Sequence, residues 1–253
     1  MPEITDNTPP ELASATPSAN AYISSFNTVS FRLSDRDGTI DDAFVMASII
    51  LKDSQNQPVA GNVSESSDLF TFTPSSALID GFYTMSFTAK DNHGNQKDYN
   101  FSFTLDTSKP AIPTISGGLV KTGNLQQRPF ENKSTSRTVT LQGERESGTS
   151  VWINNTSYVN SGIGNWTTSL SLNEGNNALE IFLKDNSGNK SDSVWVDIYV
   201  DSLAPSIISI TPANDIYSST VPATLKINFN ETGSLINEVQ SLKMIKTSTL
   251  AQV

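Results

Sequence analysis

The sequence predicts an all-β protein of tandem β-sandwich units, and three observations carry that prediction. Short alternating apolar segments are separated by Gly, Asn, Asp and Pro turns every 8 to 12 residues. No stretch keeps a sustained 3.6-residue apolar period, so no helix is expected. The motif Asp-x-x-x-Pro recurs at Asp6–Pro10, Asp106–Pro110 and Asp201–Pro205, about 100 and then 95 residues apart. That interval is the size of one small sandwich. The units are expected at 1–108, 109–202 and 203–253, the last stopping half-way through.

In the first unit, Thr28–Leu33 alternates as a half-buried strand, and Asp35–Gly38 turns. Ile40-Asp41-Asp42 leads into an apolar, β-branched strand at Ala47–Lys52. Gln55–Pro58 is a turn, Leu69–Thr73 a strand, and Asp80-Gly81 a hairpin-type signal before Phe82–Ala89. The polar turn Asp91-Asn92-His93-Gly94-Asn95 joins this to the strand Tyr99–Leu105. In the second unit, strands are expected at Thr138–Leu141, Ser150–Ile153, Thr156–Val159, Trp166–Leu172, Leu179–Leu183 and Val194–Val200. A Gly143–Gly148 turn separates the first two, and Asn154-Asn155 makes a tight turn. Asp185-Asn186-Ser187-Gly188-Asn189 repeats the closing turn of the first unit.

The third stretch repeats the first. Asp201–Pro212 matches Asp6–Pro17 in spacing, Tyr217 falls where Tyr22 falls, and Leu225–Phe229 parallels the Val29–Leu33 strand. The 232–237 turn parallels 38–41. The chain reads as a piece excised from a longer protein, with Met1 an expression start. Lacking its closing hairpin, Ser202–Val253 is expected to be weakly stable and readily proteolysed.

Composition narrows function. A formal net charge of −10 argues against nucleic acid and against anionic membrane surfaces. The absence of cysteine excludes disulfides, thiol catalysis and cysteine-ligated zinc. No apolar run is long enough for a spanning helix, and no leader peptide is visible. His93 is the sole histidine and sits in a polar turn, so neither a triad nor a multi-histidine metal site can be assembled around it. Nothing places two carboxylates in a cleft, and no enzyme activity is expected.

The two closing turns carry the sharpest chemical reading. Calcium takes six to eight hard oxygens from carboxylates, amides and backbone carbonyls. Asp91, Asn92, Asn95 and Asp106 form one candidate set; Asp185, Asn186, Asn189 and Asp201 form a second. Tight turns demand the same residue types, so plain turn and calcium site both stand. Asp35–Asp41 fails as an EF-hand loop: with Gly38 at position six, Leu33 and Phe44 fall where carboxylates belong. A polar turn is the reading there. Trp152 and Trp166, with Trp195 and Tyr158, form an alternative sugar-stacking set, against the commoner use of such residues in a core.

Several motifs together resemble known families. Asp-x-Asp-Gly-x-Ile-Asp (35–41), Phe-Thr-Pro (72–74), Leu-Ile-Asp-Gly-Phe-Tyr (78–83), Ala-Lys-Asp-Asn-x-Gly-Asn (89–95) and Phe-Thr-Leu-Asp-Thr (103–107) resemble bacterial immunoglobulin-like repeats of surface proteins and adhesins. Gly-x-x-x-x-Gly-Thr-Ser-Val (143–151) and Leu-x-Glu-Gly-x-Asn (172–177) resemble the glucodextranase B type of repeat. The resemblance implies tandem immunoglobulin-like Greek-key β-sandwiches, an extracellular place on the bacterial surface, and a stalk, spacer or adhesive role. It also implies calcium at unit junctions. The expected partners are other units of the same chain and a host or cell-surface protein or glycan, around a monomer with no nucleic acid and no membrane insertion. A carbohydrate-binding accessory module is the alternative.

Overall fold

The computed structural model describes residues 6–117, 119, 132–211 and 226–230. The first unit comprises β1 (Glu11–Thr16), β2 (Ala21–Ile23), β3 (Val29–Ser34), α1 (Asp42–Ser48), β4 (Ile50–Lys52), β5 (Gly61–Ser66), β6 (Leu69–Pro74), β7 (Gly81–Lys90) and β8 (Gln96–Leu105). They form two four-stranded sheets, β1-β3-β6-β5 and β2-β8-β7-β4. The chain changes sheet between β1 and β2, and β2 runs parallel to β8. Alternation drives the packing: Val29, Phe31, Leu33, Phe70 and Phe72 face Tyr83, Met85, Phe87, Phe101 and Phe103 across the sandwich. Phe31 is stacked on both Phe70 and Phe87. The Tyr83 hydroxyl donates to the Ile79 carbonyl at 2.8 Å, pinning the chain where it enters β7.

Three expectations for this unit change. Residues 42–48 are a helix, and the strand shrinks to Ile50–Lys52. Asp41 caps the helix, its Oδ1 accepting from Phe44 N at 3.2 Å, and Asp42 stands in the first turn. Only Val45 of this helix is buried, which is why no apolar period announces it. Asp80-Gly81 is a crossover, since β6 and β7 belong to different sheets. β1 and β5 lie at sheet edges, and polar sequences such as GNVSES suit a strand with one open side.

The second unit comprises β9 (Asn132–Ser134), β10 (Thr138–Ile153), β11 (Thr156–Ser171), β12 (Gly175–Lys184) and β13 (Val194–Val200), in the order β11-β10-β12-β13-β9. The expected Gly143–Gly148 turn is instead the middle of a 16-residue strand. Likewise Thr156–Val159 and Trp166–Leu172 merge into one strand. The β10–β11 register shifts between Arg145 and Thr149, where Gly148 takes φ +81°. Residues 138–145 pair with 164–171, whereas 150–153 pair with β12. Leu141, Trp166 and Leu170 from the first half of this long hairpin share a core with Val151, Ile181, Leu183, Val196 and Ile198. One sheet therefore supplies both layers. Asn154 and Asn155 take φ +47° and +65°, the left-handed pair that a two-residue hairpin loop needs.

β14 (Ser206–Thr211) pairs antiparallel with β15 (Lys226–Asn230). The pairing copies β1–β3, including the irregularity: Leu12↔Leu33 then Ser14↔Arg32 in one, Ile207↔Phe229 then Ser209↔Asn228 in the other. Tyr217, the 232–237 turn and most of Ser202–Val253 lie outside the described residues.

Candidate functional site: linker clamps and a carboxylate hollow

Both closing turns are built alike. Asp91 Oδ1 accepts from His93 N and Asn95 N, each at 2.8 Å, and Gly94 takes φ +91°. Asp185 Oδ1 accepts from Asn189 N at 2.9 Å, and Gly188 takes φ +89°. In each, the last Asn reaches back to the first Asp: Asn95 Nδ2 to Asp91 Oδ2 at 2.7 Å, and Asn189 Nδ2 to Asp185 Oδ2 at 2.9 Å. Burial works to raise the pKa of Asp91, but the hydrogen bonds from Asn95, His93 and Gly94 outweigh it and hold the carboxyl below its usual range.

The same Asn amide then takes hold of the linker that precedes its own unit. Asn95 Nδ2 donates to the Asp6 carbonyl at 3.2 Å, and Asn189 Nδ2 donates to the Asp106 carbonyl at 2.7 Å. Each linker Asp is itself turned, with Asp6 Oδ1 accepting from Thr8 N and Asp106 Oδ1 from Ser108 N, both at 3.0 Å. This re-partners the expected sets. Asp91, Asn92 and Asn95 do not meet Asp106, because the ten-residue strand β8 separates them by ~33 Å at about 3.3 Å per residue. Asp201 lies beyond β13, where its N–H donates to the Ser134 carbonyl, and is likewise removed from Asp185, Asn186 and Asn189. Asn92 Oδ1 accepts from Thr39 N at 3.1 Å, while Asn186 Oδ1 has, among the described residues, only a 3.4 Å contact from Ser161 Oγ.

The linker leaving each unit is held by a second carboxylate. Asp80 accepts from Thr107 N, Thr107 Oγ1 and Ser108 Oγ at 2.8–2.9 Å. Glu174 accepts from Ser202 N and Oγ at 2.8 and 2.7 Å. These bonds favour the charged forms. The Thr107 amide first, then the Ser108 and Thr107 hydroxyls, lower the pKa of Asp80. The Ser202 hydroxyl and amide lower that of Glu174. Beyond Asp106 the linker is fastened to the second unit: Ala111 N donates to Glu146 Oε2, and Ser116 N to the Gln142 carbonyl.

One spot beside the first closing turn has excess acceptors. Asp6 is 5% exposed, and its Oδ2 has no hydrogen-bond donor among the described residues; nor has Asp35 Oδ2. A methyl carbon placed on Gly38 would stand 2.5 Å from Asp6 Oδ2, 3.1 Å from Asp35 Oδ2 and 3.2 Å from Asn92 Oδ1. Three hard oxygens thus converge on a hollow that glycine keeps open. His93 Nδ1 lies 3.4 Å from Asp6 Oδ2, an ion pair only when the imidazole is protonated. Asp6, Asp35 and Gly38 were absent from the expected sets, although the Asp-x-x-x-Pro repeat and Asp-x-Asp-Gly were visible in the sequence. At the second junction Tyr22, Asp106, Glu146 and Asp185 line a cleft of about 160 Å³.

The tryptophan set does not form a platform. Trp166 is 3% exposed, lies in the second core and donates from Nε1 to the Glu144 carbonyl, so it cannot stack on a ligand. Trp152 is half-buried on the opposite side of β10, with Lys184 Nζ 4.0 Å from its ring centre. Trp195 is half-buried, and Tyr158 alone of the four is exposed.

Residues 5–107 match the model of a bacterial Ig-like domain, a type that is typically non-catalytic. The comparison with curated protein sequences finds no match. Among solved structures, the chain is similar to the fibronectin(III)-like modules of CbhA from Clostridium thermocellum, at 11% identity, 76% of this chain, 94% of that chain and a TM-score of 0.45. It is also similar to PcoC, a methionine-rich copper resistance protein from Escherichia coli, at 20% identity, 39% of this chain, 100% of that chain and a TM-score of 0.35. A tetra-tandem repeat from the extending region of a large adhesion protein matches at 18% identity, 73% of this chain, 48% of that chain and a TM-score of 0.29. No helix among the described residues is long and apolar enough to cross a membrane.

Proposed function

We propose that this chain is a non-catalytic spacer segment of an extracellular bacterial surface protein, whose units are held in line by their own linkers. The observation that carries the reading is the repeated clamp, Asn95 on the Asp6 carbonyl and Asn189 on the Asp106 carbonyl. A unit that grips the incoming linker with one end and the outgoing linker with the other limits hinge motion, which a stalk needs and a soluble enzyme does not. The units pair with their neighbours in the chain, and the segment orients a tip that meets a host or cell-surface protein or glycan.

Calcium stiffens the junction at the Gly38 hollow in this reading. The residues fit the ion: the buried Oδ2 atoms of Asp6 and Asp35, which have no donor among the described residues, and the Asn92 amide oxygen are hard ligands, and a desolvated carboxylate oxygen without a partner is costly. Asp6, Asp35 and Asn92 would hold the ion, tying the linker to the β3–α1 loop and to the closing turn. With so few protein oxygens, affinity in the sub-millimolar range is expected. Calorimetric titration of calcium into the chelator-treated chain tests this. Gly38→Ala fills the hollow without demanding a left-handed backbone and is expected to abolish the heat, while Asp201→Ala leaves it unchanged. A chain that takes up no calcium, or whose Gly38→Ala variant binds it equally well, would remove the ion and leave a metal-free spacer. Small-angle scattering that showed freely hinged units would remove the spacer itself.

A further inference from the structure

β11 is the last strand of the second unit's sheet, and among the described residues no strand pairs with its outer side. Its sequence, TSYVNSGIGNWTTSLS, has no charge and no proline over 16 residues, in a chain that is 17% charged. The other edges of the first two units are guarded in the usual ways. β2, β4 and β9 are three residues long, β1 lies between Pro10 and Pro17, and β5 carries Glu65. β11 has none of these guards. Between Asn132 and Val200 the exposed large apolar side chains are Tyr158 and Ile163, 43% and 76% exposed, and both stand on β11.

Which main-chain groups of β11 are free follows from its neighbour. Thr114 N and Ser116 N donate to the Glu144 and Gln142 carbonyls, so these two β10 residues turn their main chain toward the linker. In an antiparallel ladder successive residues alternate sides, which leaves Leu141, Gly143 and Arg145 to bond with β11. Gln142 is then opposite Thr167, Glu144 opposite Asn165 and Thr140 opposite Ser169 as non-bonded pairs. Asn165, Thr167 and Ser169 therefore direct their N–H and C=O groups to the open side, and all three are exposed. We infer that β11 is an interface for a second copy of this chain, the two strands pairing antiparallel about a two-fold axis through Thr167. This register sets Thr167 against its own copy and Asn165 against Ser169, giving about six main-chain hydrogen bonds, two for each facing pair. A second copy is the occupant because a two-fold contact confronts a surface with itself. At a formal charge of −10, an acidic edge would repel its own copy, whereas β11 brings no like charges together, and facing threonines are a favourable cross-strand pair. The pairing also carries the exposed Ile163 to the end of the partner's strand. Lateral pairing departs from the monomer expected from the sequence, and it does not depend on calcium at Gly38, which lies in the other unit.

The test is sedimentation equilibrium of the full chain from about 1 μM to about 1 mM. Edge pairing buries little area, so a reversible dimer with a dissociation constant of roughly 10–500 μM is expected. Thr167→Pro removes both hydrogen bonds at the axis and should weaken the dimer at least about tenfold, equivalent to about 1.4 kcal/mol. The N–H it deletes faces solvent in the monomer, a position where an edge strand accepts proline. Thr167→Lys puts two like charges face to face and should weaken the dimer more at low salt than at high salt. Ser64→Lys on β5 and added chelator should leave it unchanged, and circular dichroism checks that each variant stays folded. Hydrogen exchange should show the amides of Asn165, Thr167 and Ser169 gaining protection as concentration rises, with Trp166 and Thr168 unaffected. A chain that stays monomeric to about 1 mM overturns the proposal. So does a dimer that both Thr167 variants leave intact, or exchange at Thr167 that ignores concentration.

Discussion

Replacing Asn189 with alanine is the most direct probe of the clamp. The side-chain amide makes two hydrogen bonds, 2.7 Å to the Asp106 carbonyl and 2.9 Å to the Asp185 carboxylate. A neutral bond contributes about 1 kcal/mol, and a bond to a charged group about 1.5–3 kcal/mol. Both sit in a part-buried environment, where solvent can reach the orphaned acceptors, so the loss should lie near the low end, about 2–3 kcal/mol. For a unit of this size each kcal/mol moves the melting temperature by about 4–8 °C. The backbone turn should persist, because Asn189 N still donates to Asp185 Oδ1. Asn186→Ala is the control: its side chain has a single 3.4 Å hydrogen bond among the described residues, and a change within about 0.5 kcal/mol is expected. Calorimetry of the full chain should show the second-unit transition falling for Asn189→Ala and not for Asn186→Ala. Scattering should show wider hinge motion between the first two units. Equal melting temperatures for the two variants would refute the reasoning, since the motif would then matter only as a turn.

Other perturbations follow from the same contacts. Asp80 and Glu174 have folded-state pKa values below their ordinary ones, so the stability they lend is complete above the ordinary values and is lost as pH falls through the depressed ones. The Thr107 and Ser202 amide resonances should therefore stay fixed from pH 7 to about 5 and titrate with midpoints below about 3.9 and 4.3. Gly143→Ala would set a methyl carbon 1.8 Å from the Thr114 carbonyl oxygen, a backbone atom. About 1–3 kcal/mol of destabilisation is expected, with loss of amide protection at Thr114 and Ser116. Phe31→Ala empties the centre of the first-unit aromatic stack and should cost about 3–5 kcal/mol by chemical denaturation, whereas Ile79→Ala, 79% exposed, should be near neutral.

Much of the fold is legible in the residues because burial and pattern coincide there. β3, β6, β7, β8 and β13 bury alternate side chains against an opposing layer, and a period of two is the direct trace of that packing. The closing turns were legible for a similar reason: an Asp that accepts from its own following amides and a Gly at φ near +90° are local requirements. α1 left little trace because a two-turn helix held by one cap and one buried valine needs no apolar stripe. The long strands β10 and β11 read as broken, since a glycine in a bent strand and a glycine in a turn look the same in one dimension.

Sheet-forming alternation and turn chemistry were determined by the sequence alone, because each depends on neighbours a few residues away. What the tertiary structure decided was partnership. Sequence spacing puts Asp106 next after the Asp91–Asn95 turn, yet an extended strand carries the chain to the far end of the sandwich before Asp106 is reached. The closing turn therefore finds the preceding linker instead, and Asp6, 85 positions before Asp91, becomes its partner. The same geometry brings Asp35 and Asn92 to the Gly38 hollow and sends Trp166 inward. Strand length and sheet layering set those meetings, and neither is a property of any local stretch of residues.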